Sequence, residues 1–374
     1  FGAWVSSPVC RLPSPDSPIH RFTDSPIHRF VVYRRTLSYN FAPLTKRNVP
    51  VNANLILKRI QPDLERVQAC FDGYLDSSVG IVDQLGRYVA RQSGKKLRPA
   101  LLILAGRMIG CEPERLYPLG ALVELIHTAS LVHDDIIDEA DTRRGSPSVN
   151  AAYGNHMSVL LGDWLYMTAF QVGVAQQNFR ILDVLLDVSR KMVEGELIQA
   201  DVLGRLDLTA EASLDIAARK TAHLFSAATA LPAVSARADD ATIDRLTRIG
   251  LNLGLAFQVV DDVLDYTADE QKLGKPVMGD LREGKLTLPV IYLLQSDGAA
   301  ARRMVEAVVA EQGFTSVQPD ALLRELRRAG CLERTMACAH AYADQARTEL
   351  LTFPTSPHRK TLVQITDFIL KRQH

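Results

Sequence analysis

Two groups of three aspartates carry the first chemical signal in this chain. Asp134, Asp135 and Asp138 close the run His-Thr-Ala-Ser-Leu-Val-His-Asp-Asp-Ile-Ile-Asp that begins at His127, and Arg143, Arg144 and Gly145 follow. Asp261, Asp262 and Asp265 repeat the spacing at the end of Gln-Val-Val-Asp-Asp-Val-Leu-Asp, residues 258–265. On a helix the first and third acids of such a triad share one face, about 6 Å apart along the axis. Charges that close repel by several kcal/mol at intermediate dielectric. A lone triad reads as a solvated helix end. Here both triads end apolar runs, residues 119–132 (broken by Glu124 and His127) and residues 251–260. That repetition points to a metal site between two facing helices.

The elements that position these acids follow from the rest of the chain. From Val51 onward the apolar spacing is three to four, as in Leu55, Ile56, Ile60, Leu64 and Val67, or Ile81, Leu85, Tyr88 and Val89. It predicts helices near 52–70, 76–93, 98–110, 115–139, 147–153, 156–177, 180–203, 211–229, 238–266, 285–295, 299–311, 319–328, 331–352 and 358–372. Sustained strand alternation is absent, no solenoid-length repeat occurs, and several helices are apolar on most faces. The expectation is all-α: a single large helical bundle around a central cavity, spanning 51–374.

Residues 1–50 read differently. Asp-Ser-Pro-Ile-His-Arg-Phe at 16–22 recurs at 24–30, in a segment rich in basic residues, Ser and Pro and without helical period. It is expected to be a disordered or non-native extension, with an organellar transit peptide as the alternative. Over the full chain Lys+Arg and Asp+Glu are both 43, so no bulk charge points to nucleic acid or to an anionic membrane. The five cysteines (Cys10, Cys70, Cys111, Cys331, Cys338) are scattered and lack metal-ligand spacing, which fits a reduced, cytoplasmic setting. No apolar run reaches the ~18 residues of a membrane span.

The basic residues suggest what the acids hold. Gly94-Lys95-Lys96-Leu97-Arg98-Pro99 joins two helices and sets cations near a helix N-terminus, a setting for phosphate. Arg143 and Arg144 follow the first triad, Lys220-Thr221 lies in a helical stretch, and Lys275 and Lys285 flank a Gly-rich loop at 274–284. Cations beside two acid clusters suggest a polyanion held by metal and side chains together. Diphosphate with Mg²⁺ is the natural pair, because Mg²⁺ bridges carboxylate and phosphate oxygens and keeps part of its water.

From about Asn52 to Gln373 the chain resembles the trans-isoprenyl (polyprenyl) diphosphate synthases, most of all the octaprenyl and solanesyl type. The resemblance rests on seven motifs in order: residues 94–99, 133–145, Gly-Asp-Trp-Leu (162–165), Glu-Gly-Glu-Leu-Ile-Gln (194–199), Lys-Thr-Ala-His-Leu-Phe (220–225), residues 257–265, and Gly-Lys-Pro…Gly-Asp-Leu-Arg-Glu-Gly-Lys (274–285). Ser93 stands where the family often has Gly, and Lys96 where Arg is common; neither removes a required charge.

The resemblance implies condensation of an allylic diphosphate with successive isopentenyl diphosphate units, releasing pyrophosphate. By that resemblance the six aspartates hold two or three Mg²⁺ ions. Lys95, Arg98, His127 and Arg144 bind isopentenyl diphosphate. Arg143, Lys220, Thr221, Gln258 and Lys275 contact the allylic diphosphate, Lys220 also counting with the aspartates as catalytic. Ala129, where an aromatic stops growth early in the family, and Ser130 leave the tunnel open, which implies an all-trans product of octaprenyl to decaprenyl length. A homodimer is also implied. The bland readings are a core histidine for His127 and helix packing for Phe257 and Gln258; Glu194, Gln199 and Asp163 are set aside as structural. Shorter-chain synthases and a non-catalytic partner subunit are the nearest alternatives. A class I terpene cyclase would need a different second metal motif, and a head-to-head synthase would lack the Lys-x-x-Arg connector.

Overall fold

The computed structural model describes residues 58–92, 94–267, 277–296 and 298–372. The extension at 1–50 and Lys275 lie outside the described residues. After a 3-10 turn at Lys58–Ile60, α1 (Gln61–Leu75) buries Leu64, Val67, Phe71 and Leu75, one face at helical spacing. α2 (Gly80–Arg91) is similarly amphipathic, whereas α3 (Leu97–Met108) is buried at every position from Pro99 to Gly106. α4 (Pro113–Ile137) opens on a proline, which loses no helical hydrogen bond there, and ends on the first triad. It packs against α1, α3 and α6 (Asn155–Ala175).

Between α4 and α6 lie α5 (Val149–Tyr153) and a two-stranded hairpin, β1 (Thr142–Arg143) with β2 (Ser146–Pro147). The fold is all-α as expected, with this hairpin as the one sheet among the described residues. Arg144 and Gly145 both have positive φ (53° and 77°), the geometry of a tight two-residue hairpin turn. It reverses the chain at once and turns the two arginines apart.

α7 (Phe179–Asp201) leads to α8 (Ala210–Ala217), a π-helical turn at Ala218–Ala222, and α9 (His223–Ser235). The helix expected at 211–229 is therefore longer and broken by the π turn. α10 (Asp240–Thr267) runs through the core between α9 and α15 (Cys331–Leu351) and ends just past the second triad. The helix expected at 285–295 is α12 (Leu288–Leu294); a separate short turn, α11 (Gly279–Arg282), precedes it in the Gly-rich segment, where Asp265 accepts from the backbone N–H groups of Gly279 and Asp280. α13 (Ala299–Glu311), α14 (Pro319–Arg328), α15 and α16 (Pro357–Leu370) complete the bundle. No described helix is long and apolar enough to cross a membrane.

Candidate active site

α4 and α10 both place their triads in the last turns. There the free carbonyls and the helix dipole are already negative, so added carboxylates raise the cost further unless a cation offsets them. In the first triad Asp135 is buried (1% exposed) and gripped by Arg143, whose Nε donates to both carboxylate oxygens at 2.7 and 2.8 Å. Asn150 braces the same turn from α5 through the Asp135 carbonyl. Asp134 and Asp138 point away from that pair. Burial pushes the Asp134 carboxyl up to about 7, with Glu196 and Asp138 adding to it and Lys220 and Arg143 opposing. Asp138 accepts from Lys285 Nζ at 2.8 Å.

The second triad is held differently. Asp261 accepts from Arg372 at 2.6 Å, near the chain's C-terminal end. Asp262 is buried and accepts from Gln258 Nε2 at 3.1 Å; burial, then the Asp280 charge, push its carboxyl well above the usual range. Asp265 is spent on capping α11.

Both triads open on connected cavities. One, of about 250 Å³, is lined by Asp138 from the first triad and Asp262 from the second, with Lys220, Thr221, Gln258 and Lys285. A second, of about 350 Å³, is lined by Asp134, Glu196, Tyr166, Ser130, Lys220 and Thr221 among others. Lys220 and Thr221 belong to both walls. Thr221 donates to Gln258 Oε1 at 2.8 Å, and Gln258 in turn donates to Asp262, so the π turn is wired to the second triad. Lys220 Nζ lies 2.9 Å from Glu196 and also donates to Gln199.

A basic cluster adjoins these cavities, and two of its members, Arg98 and His127, line the second. Arg98, in the first turn of α3, donates through Nη1 to His127 Nε2 at 3.0 Å. Burial, then the Arg98 and Arg144 charges, hold the His127 pKa well below its usual value, so the ring is neutral and accepts at Nε2. Burial pulls Arg98 down to about 10, which still leaves it charged at neutral pH, with Glu124 and Asp261 supporting the charge. Arg144 donates to the Gln92 carbonyl at the end of α2 and lies against Gly94, where any Cβ would strike its guanidinium. Glu124 is buried beneath this group and feels Arg98, Arg144 and Lys96. Aromatic rings link the cluster to the second triad: Arg98 lies over Phe225, Phe225 packs on Phe257 (5.2 Å between centroids), and Arg372 stacks on Phe257.

The structure thus brings together Asp134, Asp138, Asp262, Lys220, Thr221, Gln258 and Ser130 on shared cavity walls, and Arg98, His127 and Arg144 around Glu124. Other expected residues stand elsewhere. Asp135 and Arg143 are committed to each other and line only a gap of about 20 Å³ shared with His127 and Arg144. Lys95 is exposed, and its neighbour Lys96 is the lysine within the field of Glu124. Ala129 is fully buried and is not on either cavity wall, whereas Ser130 is. Gln199 and Glu194, set aside from sequence, bond to Lys220 and Arg219. Asp163 stays peripheral, 3.7 Å from His133. Sequence reading passed over Glu124, Glu196, Tyr166 and Arg372. The break that Glu124 makes in an apolar run was a usable signal; for Arg372, near the chain end, there was none.

The donors suit a hard divalent cation. Asp134, Asp138 and Asp262 present carboxylate oxygens to the cavities. Among the described residues no three acid, His or Cys side chains converge on one point. The protein would therefore give each ion one or two carboxylates and leave water and phosphate oxygens to complete the shell, the usual division at Mg²⁺.

Comparison with known proteins gives the family and the fold. The Polyprenyl synthetase family model matches residues 79–322. Octaprenyl diphosphate synthase of Escherichia coli is 35% identical over 322 residues, 86% of this chain and 99% of that protein. Geranylgeranyl diphosphate synthase of Saccharolobus solfataricus, a shorter-chain enzyme by name, is 33% identical over 80% of this chain and 93% of its own. Among solved structures, the polyprenyl synthase of Caulobacter crescentus, complexed with calcium and isoprenyl diphosphate, superposes with a TM-score of 0.82 at 34% identity, covering 87% of this chain and all of that one.

Proposed function

The chain belongs to the polyprenyl synthetase family of trans-prenyltransferases, and from that premise we propose that it adds successive isopentenyl diphosphate units to an allylic diphosphate. Its product on this reading is a long all-trans polyprenyl diphosphate of octaprenyl to decaprenyl length. One observation carries the reaction: Asp138 and Asp262, from triads 124 residues apart in sequence, line one cavity together with Lys220, Thr221 and Gln258. Asp134, Asp138 and Asp262 would hold Mg²⁺, which would supply positive charge to the leaving diphosphate. Lys220, Thr221 and Gln258 orient that diphosphate from the opposite wall. Tyr166 and Met192 shelter the allylic cation and its tail from water.

Isopentenyl diphosphate binds on the basic side, where Arg98 and Arg144 meet its charge and neutral His127 can donate from Nδ1. Its double bond then attacks the allylic carbon, a new C–C bond forms, and a proton leaves to the departing pyrophosphate. The long product is supported by Ser130, whose small side chain on the tail cavity leaves the way open, and by identity to an octaprenyl synthase. A homodimer is supported by an apolar face that α6 and α7 leave uncovered: Leu160, Met167, Val174, Phe179, Leu186 and Leu197 are all more than half exposed.

The test is incubation of the full chain with Mg²⁺, farnesyl diphosphate and labelled isopentenyl diphosphate, with products resolved by length. A ladder ending at octaprenyl to decaprenyl length is expected. Arrest at geranylgeranyl length would move the chain to the shorter-chain synthases. Turnover only after adding a second subunit would make it a partner.

A further inference from the structure

The turn that carries Lys220 and Thr221 is π-helical, unlike the α-helices on either side of it. A π turn holds an extra residue and is less stable than the α-helix it interrupts, so it persists where its surroundings hold it. Two close approaches hold this one. An added Cβ at Gly195 of α7 would lie 2.8 Å from Arg219 Cβ and 3.1 Å from the Lys220 backbone nitrogen. An added Cβ at Gly254 of α10 would strike Ala222 Cα from the other side. Glycine at both places lets two helices press directly on the backbone of the turn.

The third hold is Arg219. Its Nε donates to Asp215, one turn back on α8, at 2.8 Å, and its Nη1 donates to Glu194 on α7 at 2.6 Å. The guanidinium therefore ties the helix entering the π turn to the neighbouring helix that carries Glu196 and Gln199, the two partners of Lys220. Arg219 lines neither cavity. The three side chains are between 28% and 55% exposed, so the ion pairs add little to fold stability. What they fix is the direction in which the next residue leaves the backbone.

We propose that Arg219 is a positioning residue that holds the π turn so that the Lys220 ammonium faces the allylic diphosphate. This rests on the reading of Lys220 as a ligand of that diphosphate. The test is a mutant cycle on the full chain with Mg²⁺, reading KM for farnesyl diphosphate, KM for isopentenyl diphosphate, and Tm for Arg219→Met, Lys220→Met and the double variant. Lys220→Met should raise the allylic KM by about tenfold or more, and Arg219→Met by about threefold to tenfold, each with the isopentenyl KM within about twofold and Tm within about 2 °C. Because Arg219 acts through Lys220, the double variant should be no worse than Lys220→Met alone. Arg219→Lys, which can keep one of the two bonds, should fall between wild type and Arg219→Met. Gly195→Ala should shift the same KM without touching a charge. If Lys220→Met leaves the allylic KM unchanged, the reading of Lys220 is wrong and the inference falls with it. If Lys220→Met acts but Arg219→Met does not, or the two effects multiply, only the inference is overturned.

Discussion

The two aspartate triads have the same spacing and opposite surroundings. In the first, the middle acid is the buried one: Asp135 is locked to Arg143, and the outer acids Asp134 and Asp138 face the cavities. In the second, the middle acid Asp262 faces the cavity, while Asp265 caps α11 and Asp261 holds Arg372. Six carboxylates that look alike in sequence therefore divide into those that present charge and those that build the frame. The division follows from what packs on each helix end. α4 meets a hairpin bearing arginines, and α10 meets a backbone turn whose N–H groups donate to Asp265.

The division makes opposite predictions for neighbouring residues, and this is the largest effect expected. Asp262→Ala or Asp134→Ala should lower kcat by at least about 10²-fold to 10³-fold, since each removes charge placed for the leaving diphosphate. Tm should hold or rise, because burial of each carboxylate is costly in the metal-free protein. Asp135→Ala strands the Arg143 guanidinium and should cost about 2–4 kcal/mol of stability in urea or thermal melts. Equal Tm losses for Asp135→Ala and Asp262→Ala would erase the distinction between frame and charge.

Much of this arrangement was legible beforehand. The two triads, the connector at 94–99 and the Lys220-Thr221 pair were marked by residue type and spacing, and helical periodicity gave the bundle. What periodicity could not show is which neighbour an acid meets. Asp135 and Asp262 occupy equivalent positions in their triads, and only tertiary packing makes one a strut and the other a ligand. The π turn was invisible for a related reason: its extra residue shifts the helical phase, but the run after it, Leu224 to Val234, is buried on every face and shows no phase, and the helices that press on the turn do so through Gly195 and Gly254. The hairpin at 142–147 was too short to show alternation.

The tail cavity sharpens the comparison at the first triad. Ser130 lies on the cavity wall, whereas Ala129 is packed in the core. Ser130→Tyr should shorten the product towards farnesyl or geranylgeranyl length with Tm nearly unchanged. Ala129→Tyr should cost about 1–3 kcal/mol through overpacking, whatever it does to product length. Product chromatography and melting together check both. An unchanged ladder for Ser130→Tyr would mean the tail leaves the metals by another route.

A smaller effect separates the triads by pH. The Asp134 carboxyl is raised to about 7 in the folded chain against about 4 when unfolded. Between those values the folded state keeps a proton that the unfolded state has lost. The stability this group contributes is therefore present below about pH 4 and is lost as pH rises towards 7. Metal-free protein should melt lower at about pH 7.5 than at about pH 5, and Asp134→Asn should flatten part of that slope, as read by calorimetry. Adding Mg²⁺ and pyrophosphate should raise Tm more at the higher pH, because ligand carboxylates must be deprotonated.

The smallest effect is expected at the rim. Lys285 reaches back from the segment after α11 to Asp138, an ion pair that joins the second triad's cap to the first triad. Burial opposes its charge, and bonds to Asp138 and Glu283 outweigh that opposition. Asp138 is partly exposed, which limits the pair to less than about 1 kcal/mol. Lys285→Met should accordingly leave Tm within about 2 °C. Its effect should appear in binding: with the ammonium gone from the cavity wall, the allylic KM should rise by about twofold to fivefold and vary less with added salt. A Tm loss like that of Asp135→Ala would instead make Lys285 part of the frame, and the contrast between the triads would then stop at their middle acids.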